Sequence, residues 1–208
     1  GRRVSTAACR THAAMPFNVP IFLTWLRIVL IPLVVGVYYL PTTWLSSVEM
    51  NWVACGVFVL AALTDWFDGF LARRWNQTSA FGAFLDPVAD KLMVAAALLM
   101  LLQMGRINAL VALIIIGREI TISALREWMA QIGASRSVAV HQLGKIKTAA
   151  QMVAIPLLLF NGTVVWNGWR FDSRFWGTWL IYVAAVLTLW SMLYYLRRAW
   201  PQIRERGA

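Results

Sequence analysis

The chain has 208 residues, of which 60% are hydrophobic and only 13% are charged. This composition excludes an ordinary soluble domain and predicts an all-α membrane protein with about six transmembrane helices. The net charge of +10 raises the possibility of nucleic-acid binding, but the basic residues lie between apolar runs, so membrane lipids are the expected partner and nucleic acid is not.

The apolar runs divide the chain into a short polar extension and one transmembrane domain. Residues 1–14 are polar and basic and lack an apolar core, so we expect a disordered or non-native extension there and a single domain over 15–208. An outer loop is expected at 161–175. The six predicted spans are 21–40, 48–73, 81–104, 107–132, 143–160 and 176–196.

Two polar residues, Thr24 and Arg27, stand near the start of the first span. A long basic side chain in this position can extend to the membrane surface and anchor the helix. It can equally line a polar site for a lipid headgroup. The sequence leaves both interpretations open for Arg27.

The second and third spans carry four of the nine acidic residues of the chain. Asp65 and Asp68 are three residues apart, and Asp86 and Asp90 are four apart, so each pair shares a helix face. The polar link 74–79 allows the two helices to turn back, so that the four carboxylates converge. Because four like charges at membrane depth are costly, we expect compensation by hard divalent cations, of which four carboxylates could hold two.

Small and basic residues accompany these acids. Gly69 and Gly82 each leave space where a ligand or a neighbouring helix could approach. Arg73 is a fixed cation one helical turn after Gly69 and suits a phosphate oxygen. Ser79, at the end of the link, can cap the third helix.

Basic residues in the fourth and fifth spans are candidates for binding a phosphate. Arg118 lies deep in the fourth span, where it could pair with Glu119 or Asp90, or bind a substrate phosphate. Lys145 and Lys147 open the fifth helix, where the helix dipole disfavours cations. They therefore predict either a phosphate-binding site or anchors on the cytoplasmic side.

Basic residues also predict the orientation in the membrane. They concentrate at both termini, at 73–79 and at 126–147, whereas the opposite turns carry only Arg106, Arg170 and Arg174. The positive-inside rule therefore predicts both termini and the acidic residues on the cytoplasmic side.

The acidic stretch resembles the complete signature of the CDP-alcohol phosphotransferases, integral membrane enzymes that displace CMP from a CDP-linked lipid or alcohol. The pattern that carries the resemblance is Asp65-x2-Asp68-Gly69-x2-Ala72-Arg73-x8-Gly82-x3-Asp86-x3-Asp90. The resemblance implies two divalent cations, Mg²⁺ or Mn²⁺, on the four aspartates, with Asp90 also acting as general base. Residues that would hold the CDP-linked lipid are Thr24, Asp68, Gly69, Arg73, Ser79 and Gly82.

Further segments resemble the members of this family that use glycerol 3-phosphate, among them FNVPIFLTWLRIVLIP, GREITISALREWMA and GKIKTAAQMVA. This resemblance implies that CDP-diacylglycerol and sn-glycerol 3-phosphate give phosphatidylglycerophosphate and CMP in phospholipid biosynthesis. Arg118, Lys145 and Lys147 would hold the acceptor phosphate. The resemblance also implies a homodimer in the inner membrane of a Gram-negative bacterium.

Three alternatives remain at this point. A family member could use serine, an inositol phosphate or phosphatidylglycerol as acceptor. An intramembrane prenyltransferase would need two acidic segments on distant helices, whereas these are adjacent. A divalent-cation transporter would need acidic residues towards both membrane surfaces, but the first, fifth and sixth spans have none.

Overall fold

The computed structural model describes residues 19–75, 80–131, 142–166 and 168–206, and helices dominate these ranges. A 3₁₀ turn, Val37–Tyr39, continues the first helix, and a two-stranded hairpin lies between the last two. The helices are α1 Val19–Gly36, α2 Ser47–Trp75, α3 Ala80–Gln103, α4 Ala109–Gln131, α5 Gln142–Phe160 and α6 Ser173–Arg206, and the strands are β1 Thr163–Trp166 and β2 Trp169–Asp172.

The helices have the length and apolar character of membrane spans. Three segments, Phe22–Tyr39, Ser47–Phe67 and Ser173–Arg197, are long and apolar enough to cross a bilayer, and Ile146–Phe160 is a shorter apolar helix. Helix α2 continues beyond Phe67 to Trp75. The predicted all-α polytopic membrane fold is therefore confirmed. Large apolar side chains on the outer surface include Phe22, Val29, Leu63, Leu99, Leu113, Val186 and Trp190.

The helices pack around one apolar core. Helix α1 lies against both α2 and α3, while α5 runs along α6 and also contacts α2. Lipid tails are as apolar as the core, so close packing between helices provides much of the stability. At Gly177 of α6, an added Cβ would lie 2.8 Å from Leu158 Cγ of α5, which shows how closely these two helices approach. The core includes Leu30, Phe58, Leu98, Ile115, Leu158 and Ile181.

The region predicted as an outer loop at 161–175 contains regular structure, which corrects that expectation. Strands β1 and β2 pair antiparallel, with Thr163 opposite Asp172 and Trp166 opposite Trp169. Gly168, in the turn, has φ +85°, a backbone conformation that favours glycine. Asp172 then caps α6, because its Oδ1 accepts hydrogen bonds from the backbone N–H groups of residues 174 (2.9 Å) and 175 (3.3 Å).

Arg106, in the turn between α3 and α4, joins three elements at the end of the helices remote from the acidic residues. Its Nη1 donates to the carbonyl oxygens of Leu158 (2.9 Å) and Leu159 (2.7 Å) in the last turn of α5. Its Nη2 donates to Asn51 Oδ1 of α2 at 2.6 Å. These bonds satisfy carbonyl groups that a helix end otherwise leaves without partners.

Candidate active site

Two side chains of α1 contact acidic residues of both neighbouring helices. Thr24 Oγ1 donates a short hydrogen bond to Asp86 Oδ1 of α3. Arg27 Nη1 lies 2.5 Å from Asp90 Oδ1 of α3 and 3.0 Å from Asp65 Oδ1 of α2. One guanidinium nitrogen therefore joins carboxylates from two helices.

The spacing along each helix explains this arrangement. Thr24 and Arg27 are three residues apart on α1, and Asp86 and Asp90 are four apart on α3, so the two pairs face each other where the helices pack. The side chain of Arg27 is only 1% exposed, whereas those of Asp65 and Asp90 are 40% and 38% exposed. Arg27 is thus a buried counter-ion of the acid pair, and the carboxylates stay accessible.

Two cavities adjoin the acid pair. One, of about 260 Å³, is lined by Asp65, Asp90, Arg27 and Trp66 together with apolar residues of α2 and α3. The other, of about 240 Å³, extends from Asp65 and Asp90 to Glu119 of α4 and to residues of α5. The acid pair therefore faces space bounded by five helices, α1 to α5.

A basic cluster contacts Glu119, which lines the second cavity. Glu119 Oε1 accepts hydrogen bonds from Arg118 Nη1 at 2.9 Å and from Lys147 Nζ at 2.6 Å. Arg118 and Lys147 are 7% and 1% exposed. Within the described part of the chain, Arg118 Nε has no hydrogen-bond partner. Two buried cations thus contact the same carboxylate.

The remaining predicted site residues are placed by the backbone alone or not at all. Asp68, Gly69 and Arg73 belong to the last turns of α2, and Gly82 and Lys145 belong to the first turns of α3 and α5. The side chains at these positions, and all of Ser79, lie outside the described part of the structure.

The described acidic residues fit a hard divalent cation in their chemistry, since all of them offer carboxylate oxygens. Among the described side chains, no three His, Cys, Asp or Glu residues lie close enough to hold a metal ion. Arg27 Nη1 lies between Asp65 and Asp90 and supplies the positive charge there. Asp65 and Asp90 are therefore chemically suited to a divalent cation, which would compete with Arg27 for their carboxylates.

Comparison with known proteins agrees with this geometry. A family model for CDP-alcohol phosphatidyltransferases matches residues 17–190, and the chain belongs to that family. The chain is 52% identical, over 89% of its own length and 96% of theirs, to proteins of Escherichia coli strain K12, Escherichia coli O157:H7 and Shigella flexneri serotype 5b. Each of these relatives is named CDP-diacylglycerol–glycerol-3-phosphate 3-phosphatidyltransferase. The predicted family membership is confirmed.

Sequence reasoning missed several residues of this site. Thr148 lines both cavities, and Gln151 lines the second. Gln151 is four residues after Lys147 on α5, so helical periodicity could have placed it on the same face. The contact of Glu119 with Lys147 joins α4 to α5, and no local pattern predicts such a contact.

Proposed function

We propose that this chain transfers the phosphatidyl group of CDP-diacylglycerol to sn-glycerol 3-phosphate, giving phosphatidylglycerophosphate and CMP. This is the activity named for its 52% identical relatives. The observation that carries the proposal is the cavity of about 240 Å³ between Asp65, Asp90 and Glu119. Asp65 and Asp90 line it, and so does Glu119, whose carboxylate accepts hydrogen bonds from the buried cations Arg118 and Lys147.

Enzymes of this family in general depend on divalent cations. We infer that Mg²⁺ is the ion used here, with Asp65, Asp68, Asp86 and Asp90 holding two ions. When bound, these ions would neutralise the charge of the pyrophosphate and of the departing CMP. Thr24 would orient Asp86 through the hydrogen bond between them.

We assign the CDP-linked lipid to the end of α2 and the start of α3. Small residues there leave room for the nucleotide, and a basic side chain can contact a phosphate oxygen. The residues that would hold the CDP-diacylglycerol are Thr24, Asp68, Gly69, Arg73, Ser79 and Gly82.

Asp90 is the residue that we assign as general base. A primary hydroxyl of glycerol 3-phosphate would attack the phosphorus on the lipid side. The new P–O bond forms as the bond to CMP breaks, CMP leaves with the bonding electrons, and Asp90 accepts the hydroxyl proton. A carboxylate is a weak base, so its contribution depends on placement, and Arg27 holds Asp90 in position at 2.5 Å.

The acceptor phosphate would bind to the basic cluster. Arg118 and Lys147 are both oriented by Glu119, which lines the cavity that reaches Asp90. Lys145 begins the same helix as Lys147 and would add a third cation. Charge-assisted hydrogen bonds from these groups would fix the phosphate and so direct the hydroxyl of the acceptor towards Asp90.

We further propose that the chain forms a homodimer in the bacterial inner membrane. The distribution of Lys and Arg predicts that both termini and the acidic residues lie on the cytoplasmic side. Thiol labelling of a cysteine placed at Ala208 tests the orientation. In sealed inside-out vesicles the thiol should react with an impermeant reagent, and in intact spheroplasts it should not. Native mass spectrometry tests the dimer, and a monomer at all detergent concentrations would contradict it.

The reaction is tested by CMP release from purified protein with CDP-diacylglycerol and Mg²⁺. The acceptors are glycerol 3-phosphate, serine, inositol phosphate and phosphatidylglycerol. Only glycerol 3-phosphate should support release, and Asp90→Asn should reduce it by about 10²–10⁴-fold, the usual contribution of a positioned base. Asp172→Asn is the matched control, because it makes the same chemical change at the opposite end of the molecule.

Each other result would contradict part of the proposal. Release with a different acceptor would keep the acidic site and refute the assigned substrate. An equal loss in Asp90→Asn and Asp172→Asn would refute the role of Asp90. No release with any acceptor from folded protein would refute the proposed phosphatidyl transfer.

A further inference from the structure

A larger cavity, of about 450 Å³, lies at the end of the helices remote from Asp65 and Asp90. It lies where the turn after α1, the start of α2, the turn between α3 and α4 and the start of α6 meet. The polar residues that line it include Tyr38, Ser47, Asn51, Arg106, Asn161 and Arg174. The proposed phosphatidyl transfer uses none of them.

This larger cavity, called the outer cavity below, has a positively charged lining. Arg106 and Arg174 line it, and its lining includes no carboxylate. Burial is the main cause that holds the pKa of Arg106 below its usual value, and the positive charge of Arg174 acts in the same direction. Two nearby acids lie outside the lining and make local hydrogen bonds: Glu49 accepts from the backbone N–H of Ser46, and Asp172 accepts from that of Arg174. An anion in the cavity would relieve the repulsion between the two arginines.

The two arginines differ in how firmly they are held. Arg106 is fixed by the carbonyl oxygens of α5 and by Asn51, whose Oδ1 also accepts from Tyr38 Oη at 3.3 Å. Arg174 is exposed, and within the described residues its guanidinium makes no hydrogen bond or ion pair. One arginine thus forms a rigid wall, and the other is available to close on a ligand.

The helix ends add to the same preference. Both α2 and α6 begin at this cavity, through Ser47 and Arg174, and since Ser46 and Asp172 already cap these helices, the helix ends contribute the positive end of their dipoles. The hydroxyl groups of Tyr38, Thr42 and Ser47 are further donors around it. The positive charge and these donors match phosphate oxygens, which arginine contacts with paired N–H groups.

We propose that this outer cavity binds a phosphate-bearing anion, namely the headgroup phosphate of an anionic phospholipid or a free phosphate ion. The cavity is large enough for a phosphate together with a small polar substituent such as glycerol. Its position at the ends of the spanning helices is the level at which lipid headgroups lie.

The test uses the delipidated full-length chain in a neutral detergent with EDTA present. In one arm, native mass spectrometry measures retention of phosphatidylglycerol against phosphatidylcholine. In the other arm, thermal melting measures stabilisation by inorganic phosphate. Arg174→Gln should weaken binding by about tenfold or more, the usual loss for a hydrogen bond to a charged group. Arg170→Gln is the control, because it removes the same charge from β2, outside the cavity lining.

Selective retention of phosphatidylglycerol that is lost only in Arg174→Gln is the expected result and identifies the lipid as the source. Stabilisation by inorganic phosphate that is lost only in Arg174→Gln identifies the free ion. Equal weakening in both variants would show general surface attraction and overturn the proposal. Binding that neither variant changes, or no binding in either arm, would overturn it as well.

Discussion

Replacing Arg27 with glutamine removes the guanidinium that contacts both Asp65 and Asp90 and leaves a neutral side chain that still reaches into the same space. Arg27 is 1% exposed, and its Nη1 lies 2.5 Å and 3.0 Å from the two carboxylates. The variant therefore keeps most of the packing and removes the positive charge between two like charges.

The expected loss of stability follows from the exposure of the partners. Breaking a fully buried ion pair by removing one partner typically costs about 3–5 kcal/mol. Here the carboxylates are 40% and 38% exposed, so water solvates them after the change. We expect a loss of about 2 kcal/mol in the free energy of unfolding, below that range because of this solvation. For a chain of this size, that corresponds to a melting temperature lower by about 4–8 °C.

Mg²⁺ should reduce the difference in stability between Arg27→Gln and the original chain. Without Arg27, the carboxylates of Asp65 and Asp90 lose a competing cation, so Mg²⁺ should stabilise the variant more than the original chain. A ligand present at about 100 times its dissociation constant stabilises the folded state by about 2.7 kcal/mol. The difference in melting temperature between Arg27→Gln and the original chain should therefore become smaller as the Mg²⁺ concentration is raised from zero.

Thermal melting in detergent, first in EDTA and then along a Mg²⁺ series, measures both effects. Arg170→Gln is the control, since it removes an exposed arginine distant from the acid pair. If Arg27→Gln melts at the original temperature in EDTA, the acid pair does not depend on Arg27. If Mg²⁺ leaves the gap unchanged, the metal ion does not share the position of Arg27, and the reasoning is refuted.

Two further predictions concern the basic cluster and the helix packing. Lys147→Met should raise KM for glycerol 3-phosphate by about tenfold or more, with a smaller change in KM for CDP-diacylglycerol. The reason is that one charged donor to the phosphate is lost while Glu119 still holds Arg118 in place. Steady-state CMP release measures both KM values, and equal changes in the two would contradict the prediction. Gly177→Ala should lower the free energy of unfolding by about 1–3 kcal/mol, because its Cβ would lie 2.8 Å from Leu158 Cγ. In Gly56→Ala the new Cβ meets nothing within 4 Å, so this control should be neutral or stabilising. Thermal melting compares the two variants, and equal melting temperatures would show that α5 and α6 separate easily.

Apolar run lengths predicted the helices well because the bilayer sets the length of a span. The sequence predicts the second span at 48–73, and the helix is Ser47–Trp75; it predicts the fifth at 143–160, and the helix is Gln142–Phe160. The hairpin at 163–172 was missed, although Asn167-Gly168 between two short segments with Val, Trp and Phe is a recognised hairpin signal. A segment of four residues per strand is too short for periodicity alone to identify.

Residue spacing predicted which acids share a face, but not which side chain compensates them. The two interpretations of Arg27 could not be separated in the sequence, because its partners are 38 and 63 positions further along the chain and meet it only through packing of α1 against α2 and α3. The sequence left Arg118 open between pairing with Glu119 or Asp90 and binding a substrate phosphate, and the structure shows a contact with Glu119. Local patterns identify candidate groups, whereas long-range packing determines their pairing.

The length of α2 has a consequence for the kinetics. In the sequence, the long apolar run of this helix is followed by Asp65, Asp68, Arg73 and Arg74, and the helix continues to Trp75. We therefore expect the acid pair at the boundary between hydrocarbon and water, where one substrate would arrive by lateral diffusion and the other from solution. The rate should then follow the mole fraction of CDP-diacylglycerol within the membrane or micelle and the bulk molarity of glycerol 3-phosphate. Adding inert detergent at constant total lipid should slow the enzyme by surface dilution, although no concentration in the bulk solution has changed.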